Sequence, residues 1–429
     1  MNIEEIVKKL MYFHDYIRKE KTKNYLNQMG LLKGSFNQFE SIYKDFQKQA
    51  VEKEKTNYKL LTSRTLAYGL EKGFITEYEL ENILFLSIED TLLNSYLYKL
   101  NKYDIEITDL GAVPSILESW FFSKESTIMQ SVLKGRKGEK FVPCAYRVNE
   151  RDGKLCSIRL LLLDEELVNL YGKNRERVVV AYPTIIEIDF ARNLIHVRVR
   201  EVDNIESENE KVSTLSKRIE ERTLKYISSL KPSIEFGKFS NFKKSMFQIE
   251  EDILSKERKE AEQVLESFRD EIENFVDVIT DRLNISLEKT VSPKKQIEYS
   301  VLALISSTLG KNELGDISGI RFRNIREENS KKYSEVYISD KEYKGISTDE
   351  LYWNNLSVLI EQGKVEFLQL VKNFQNGTVI ANLEFSLDTA NAKILKKNIT
   401  PDGDTHRPFS DRSYLELIDY LLPFLFSKK

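Results

Sequence analysis

The chain has 429 residues, 41% hydrophobic and 11% aromatic, which suffices for two or three domains with ordinary cores and excludes the disordered class. Its 65 Lys and Arg against 68 Asp and Glu leave a formal charge of -3, so no global basic field draws in nucleic acid or anionic membrane, and any such contact must be local. No uncharged apolar run reaches the roughly eighteen residues of a membrane span. Glu4 and Glu5 stand where a signal peptide would be basic, and Cys144 and Cys156 are too few for a disulfide scaffold or a four-thiolate zinc site, so a cytoplasmic protein is expected. Richness in Lys, Ile, Asn and Glu points to an AT-rich bacterial genome.

The first hundred residues read as helical, beginning with Ile3, Ile6, Leu10, Phe13 and Ile17 on one face. Leu60 to Leu70 ends toward Gly73, and Thr76-Glu77-Tyr78-Glu79 has the form of a capping box. The helix it opens carries Leu80, Ile83, Leu84, Ile88, Leu92 and Tyr96 and is predicted to run to about Leu100. After Gly111 and Pro114, one further helix is predicted over Ser115 to Leu133, with Trp120 and Phe121 in its middle. From Lys134 the character changes. Phe141 to Val148, Leu155 to Leu163, Arg177 to Tyr182, Thr184 to Phe190 and Leu194 to Arg200 are short β-rich runs, with turn chemistry at Asp152-Gly153 and around Asp189 to Asn193. Helix returns over Leu215 to Leu230.

Phe239 to Thr290 is a long charged segment on which Val264, Phe268, Ile272, Phe275, Ile279 and Leu283 recur at steps of three or four, the mark of an amphipathic helix. Ser255 to Glu260 lacks any apolar residue, which allows a break or a solvent-exposed middle there. A further helix is predicted over Pro293 to Leu309, strands over Gly319 to Ile325 and Tyr333 to Ser339, and a second capping box at Ser347-Thr348-Asp349-Glu350. Val365 to Phe374 and Thr378 to Leu387 flank the turn signal Asn376-Gly377. Ala392 to Leu395 adds a strand, and Ser413 to Phe426 a strongly apolar final helix interrupted by Pro423, read as core. Ile186 to Ile195 and Leu383 to Ile394 share a strand, Asp/Asn turn, strand pattern.

The chain carries no phosphate-binding Gly-Lys-Ser/Thr loop, Gly-x-Ser-x-Gly elbow, His-Glu-x-x-His or Cys-x-x-Cys. Two local signals remain. Lys134, Arg136, Lys137 and Lys140 surround two glycines, Arg175 and Arg177 follow in a later loop, and His196, Arg198 and Arg200 alternate with Ile195, Val197 and Val199. Such alternation puts the basic groups on one strand face, where they could meet a phosphate backbone, with the aliphatics toward the core. Arg321 and Arg323 repeat it. The second signal is Asp402, Asp404 and His406 beside Arg407, which could hold a divalent ion that activates water, although Pro401 and Gly403 also make an ordinary turn. Cys144 and Cys156 read as small buried hydrophobes on adjacent strands, and Trp120 and Trp353 as core anchors.

The expected architecture is α+β: a helical domain over 1–133, a small mixed strand-rich domain over 134–235, a long helical spine over 239–310 and a C-terminal mixed region over 311–429. The expected function is that of a non-catalytic binding or assembly component of an intracellular bacterial complex acting on or near nucleic acid, with defence against mobile DNA as the prior setting. The alternative is a metal-dependent phosphodiesterase or nuclease centred on Asp402, Asp404 and His406. No cofactor is expected. The partners expected are a protein or a second copy through the spine and a nucleic-acid backbone, with no membrane.

Overall fold

The computed structural model of the protein describes residues 3–52, 60–122, 127–132, 141–164, 167–171, 177–200, 205–206, 216–283, 293–309, 316–325, 333–395 and 411–427. They form an α+β architecture divided into two compact units, Met1–Gly237 and Lys238–Lys429.

The first unit opens with α1 (Ile3–Met11), α2 (Lys19–Gln28), α3 (Phe39–Glu52), α4 (Leu61–Glu71) and α5 (Glu77–Glu89). Strand β1 (Asn94–Tyr103), α6 (Val113–Ser119) and α7 (Ile128–Ser131) follow. Next come β2 (Phe141–Arg151), β3 (Lys154–Asp164), β4 (Val168–Tyr171), β5 (Arg177–Val180), β6 (Pro183–Asp189), β7 (Leu194–Val199), β8 (Ile205–Glu206), α8 (Leu224–Ser229) and β9 (Ile234–Lys238). The sheet runs β9-β1-β7-β6-β3-β2, and β5-β4-β8 form a second, small one. Leu10, Leu66, Ile83 and Ile88 of the helices and Phe13 and Phe36 of the turns between them share one core with Leu161 and Ile185 of the sheet.

Local chemistry sets several boundaries. Thr76 and Glu79 close the predicted capping box, with Thr76 N donating to Glu79 Oε2 at 2.7 Å and Glu79 N to Thr76 Oγ1 at 3.2 Å. Asp152 and Gly153 both take positive φ, 53° and 72°, in a two-residue hairpin between β2 and β3. Gly69 lies so close to Phe36 that an added Cβ would stand 2.5 Å from the ring.

Two predicted helices are shorter than their spacing implied. The helix expected to reach Leu100 stops at Glu89, and β1 pairs with β7 from Asn94↔Val199 to Lys99↔Leu194. Leu92 and Tyr96 continue the helical period. The Tyr-rich segment nevertheless buries both of its faces between Asn94 and Tyr98, which suits a strand inside a sheet. The helix expected over Ser115 to Leu133 ends at Ser119. Phe121 adopts φ 69°, Phe121 N donates to Glu118 O and Phe122 N to Leu117 O, a Schellman stop built without glycine. Helix α7 starts separately, its first amides donating to the Glu81 carboxylate at 2.7 and 3.0 Å.

The second unit contains α9 (Phe242–Glu266), α10 (Arg269–Leu283), α11 (Pro293–Leu309), β10 (Ile317–Asn324), β11 (Ser334–Ser339), α12 (Glu350–Asn354) and α13 (Leu356–Gln362). It continues with β12 (Phe367–Phe374), β13 (Gly377–Ser386), β14 (Thr389–Leu395) and α14 (Asp411–Leu425). Its strands lie in the order β11-β10-β12-β13-β14, antiparallel throughout. Helices α9 and α14 pack on β13, and Leu368, Leu370, Ala381 and Leu383 are buried on alternate strand positions. Leu417, Ile418, Leu421 and Leu425 of α14 are buried, despite Pro423 inside the helix.

Of the two alternatives for Ser255 to Glu260 the structure shows the exposed middle: helix runs unbroken with Lys256, Glu257, Lys259 and Glu260 exposed, and the interruption falls at Ser267 and Phe268. The polar stretch is held because Arg258 turns inward: its Nε and Nη2 donate to the Tyr352 hydroxyl at 3.1 and 2.7 Å, and it pairs with buried Glu250. The second capping box is displaced, since Asp349 rather than Ser347 caps α12, accepting from Leu351 N at 2.8 Å. Hairpins β6-β7 and β13-β14 share the pattern noted in sequence but not the turn. Residues 190–193 separate the first pair, whereas Leu387 and Asp388 alone, both at positive φ, join the second.

Candidate interaction surfaces

Lys134, Arg136, Lys137, Lys140 and Arg175 lie outside the described residues, as do Asp402, Asp404, His406 and Arg407. Arg177 is the first residue of β5, opposite Tyr171. The remaining basic candidates lie on or just after β7, and two of them are not on a solvent face. His196 is 0% and Arg198 1% exposed, so the expected phosphate-facing strand is corrected to an interior one. The reason is the position of β7 between β1 and β6, with helix α5 supplying a carboxylate over the polar side.

Across these strands the register sets Arg159 opposite Glu187 and Glu187 opposite His196. Glu89 Oε1 of α5 lies 2.8 Å from Arg159 Nη1 and 3.5 Å from Arg198 Nη1. Arg159 Nε lies 2.9 Å from Glu187 Oε1. Arg198 also donates to the carbonyls of Glu89 and Leu92, at 3.0 and 3.3 Å. Beside them Asp189 accepts from the Arg192 amide at 2.9 Å and guanidinium at 3.0 Å, and faces His196 at 3.7 Å. Burial raises the Asp189 carboxyl, but His196 and Arg192 more than offset it and hold it below its ordinary value. Guanidinium and carboxylate groups match within this layer, and it joins α5 to the sheet.

Arg200 is partly exposed and is engaged by Asp15 Oδ2 at 3.0 Å. The His14 hydrogen bond, with Arg200 beside it, holds Asp15 well below the usual carboxylate range. A related cluster could not be anticipated from spacing. Arg218 and Arg222, from a π-helical turn over Lys217–Thr223, both reach Asp164 at the end of β3. Arg218 also stacks 3.6 Å from the Tyr182 ring centroid and donates to Thr184 Oγ1 at 3.1 Å.

The cysteines do not face each other: Cys144 lies beside Leu161 and Cys156 near the opposite end of the β2-β3 hairpin, and both are free. Burial raises the Cys144 thiol. Trp120 and Trp353 are buried anchors. Among the described residues no group of three or more His, Cys, Asp and Glu is placed to hold a metal ion, and no helix is long and apolar enough to cross a membrane.

The spine supplies the other surface. Its predicted seam divides in two: Ile272 is buried and Ile279 half-buried, whereas Val264, Phe268 and Phe275 are 38%, 45% and 54% exposed, and the Leu283 side chain lies outside what the structure describes. Val278, outside the predicted seam, is 47% exposed beside them. This apolar stripe runs from Val264 on the last turn of α9 through Phe268 in the interruption to Phe275 and Val278 on one face of α10. Glu262, Glu266, Asp270, Glu271, Glu273, Asp277 and Asp281 are exposed along the same stretch, as are Arg269 and Arg282. No protein-family model and no curated protein matches the chain.

Proposed function

We propose that the chain is a non-catalytic assembly component that engages a protein partner through the α9-α10 stripe, within a bacterial complex acting on or near nucleic acid. One observation carries the reading: four large apolar side chains, Val264, Phe268, Phe275 and Val278, stand exposed close together at the end of α9 and along α10, among charged and polar neighbours. An isolated exposed apolar residue needs no explanation, but a close set among polar neighbours is the surface expected of an interaction site. Full burial of a Phe or Val side chain contributes roughly 1.5–3 kcal/mol. Covering four that are about half exposed therefore contributes roughly 3–6 kcal/mol, which other contacts of the interface must supplement to exceed association costs of roughly 4–15 kcal/mol.

Engagement with nucleic acid, in a setting such as defence against mobile DNA, rests on the basic segment Lys134 to Lys140 with Arg175 and Arg177. Arg198 and His196 are excluded from that role by their burial. The test has two arms. Sedimentation of the chain mixed with co-expressed neighbours should show a complex that the Phe268→Ser/Phe275→Ser variant does not form; an unaltered complex refutes the stripe. Duplex binding at low salt should weaken in Arg136→Glu/Lys137→Glu, with a flatter salt dependence. Wild-type protein that binds no duplex, or a variant that binds equally, removes the nucleic-acid part.

A further inference from the structure

Strand β11 is the edge of the second unit's sheet, and among the described residues no strand pairs with its outer side. Its ladder with β10 shows which backbone groups are left over. The Asp340 amide donates to Ser318 O at 2.9 Å, in step with the register Ile320↔Ile338 and Phe322↔Val336, so these are the hydrogen-bonded pairs. Arg321, opposite Tyr337, turns its carbonyl the other way and accepts from Glu366 N at 2.8 Å. Glu335, Tyr337 and Ser339 therefore point their N–H and C=O groups at the free edge.

Open sheet edges are normally blunted by proline, bulges or charge. Strand β2, an edge of the first unit's sheet, follows that rule. It contains Pro143, its register shifts at Pro143/Ala145 and again at Asn149/Glu150, and it carries Arg147, Glu150 and Arg151. Strand β11 is not guarded in this way. It runs in register with β10 from Ser334 to Ser339 without a bulge or a proline, and its one charge, Glu335, lies 3.5 Å from Arg323 Nε of β10.

The strand also complements itself. Antiparallel pairing of two copies about Tyr337 sets Tyr337 opposite the second copy's Tyr337, and Glu335 opposite its Ser339. These are the positions with outward N–H and C=O, so every outward group of one copy meets one of the other. On the other face half-buried Val336 falls opposite the second copy's Ile338. Aromatic and β-branched cross-strand pairs stabilise a sheet, and no like charges stand directly opposite in this register. We propose that β11 is a self-association edge, through which two copies pair antiparallel over residues 335–339 and join their second-unit sheets into one.

Sedimentation of the full chain over a concentration series reads the association, and circular dichroism checks that each variant is folded. Tyr337 is 58% exposed and its amide faces away from β10, so substitutions there leave the hydrogen bonds of the ladder in place. Tyr337→Lys and Tyr337→Glu each set two like charges face to face, and Tyr337→Pro removes the central outward N–H. Wild type is expected to dimerise, and each variant alone to dimerise at least about tenfold more weakly, equivalent to about 1.4 kcal/mol. Mixing the Tyr337→Lys and Tyr337→Glu proteins should restore the dimer, because opposite charges then meet across the twofold axis. A wild type that stays monomeric at every concentration overturns the proposal and leaves the edge to a strand of another protein. A dimer that the three variants keep, or that only Phe268→Ser/Phe275→Ser disrupts, places association elsewhere and overturns it as well. Weakened variants whose mixture stays monomeric overturn the pairing about Tyr337.

Discussion

Replacing Glu89 by Gln keeps the size of the side chain and removes one negative charge from between two guanidinium groups. Glu89 is 4% exposed at its side chain, Arg198 1% and Arg159 11%, so solvent cannot compensate the loss. Removing one partner of a buried pair costs about 3–5 kcal/mol because the other charge is left uncompensated. The cost here falls at the lower end. Arg159 keeps Glu187 at 2.9 Å, whereas Arg198 keeps the carbonyls of Glu89 and Leu92. A loss of about 3 kcal/mol is expected, equivalent to a fall in Tm of roughly 6–12 °C for a unit of this size. Urea unfolding followed by circular dichroism measures it, with the slope of the transition checked for constancy. Removing Arg198 as Arg198→Met should then cost roughly 1–3 kcal/mol less in the Glu89→Gln background than in wild type. A loss below about 1 kcal/mol, or additive effects of the two substitutions, would refute the assignment of this layer as the link between α5 and the sheet.

Thr76→Ala should destabilise the first unit by about 1 kcal/mol through the lost cap of α5, read as a lower urea midpoint. Gly69→Ala, which drives a methyl into the Phe36 ring, should cost about 1–3 kcal/mol. Asp15 and Asp189 both have folded-state values below their unfolded ones. Their contribution is therefore complete above the ordinary Asp value near 3.9 and is lost as pH falls through the lower folded values. Melting temperature should fall across that acid range, and Asp15→Asn should flatten part of the fall. Phe268→Ser/Phe275→Ser should lower stability by only about 1–3 kcal/mol, because about half of each ring is already exposed.

What the sequence made legible was mostly local chemistry. The Thr76-Glu79 box and the Asp152-Gly153 hairpin depend on contacts only a few residues apart, and the β-rich runs from Phe141 to Val199 on residue types that favour strand. The segment from Asn94 to Tyr98 was not legible, since Leu92 and Tyr96 satisfy a helical period while burial on two faces decides for strand. The basic strand was misread for a related reason. Alternation along one strand shows that its two faces differ, and it does not show that the polar face is wet. In β7 that face is roofed by Glu89 and flanked by Glu187 and Asp189, so the alternation that seemed to offer charge to phosphate instead marks where a helix is fastened to a sheet. A signal for this was present: Glu187 and Asp189 alternate on the preceding strand, Glu187 in register with His196 of the next and with Arg159 of the one before. Matched acids and bases on neighbouring strands point to neutralisation within the fold.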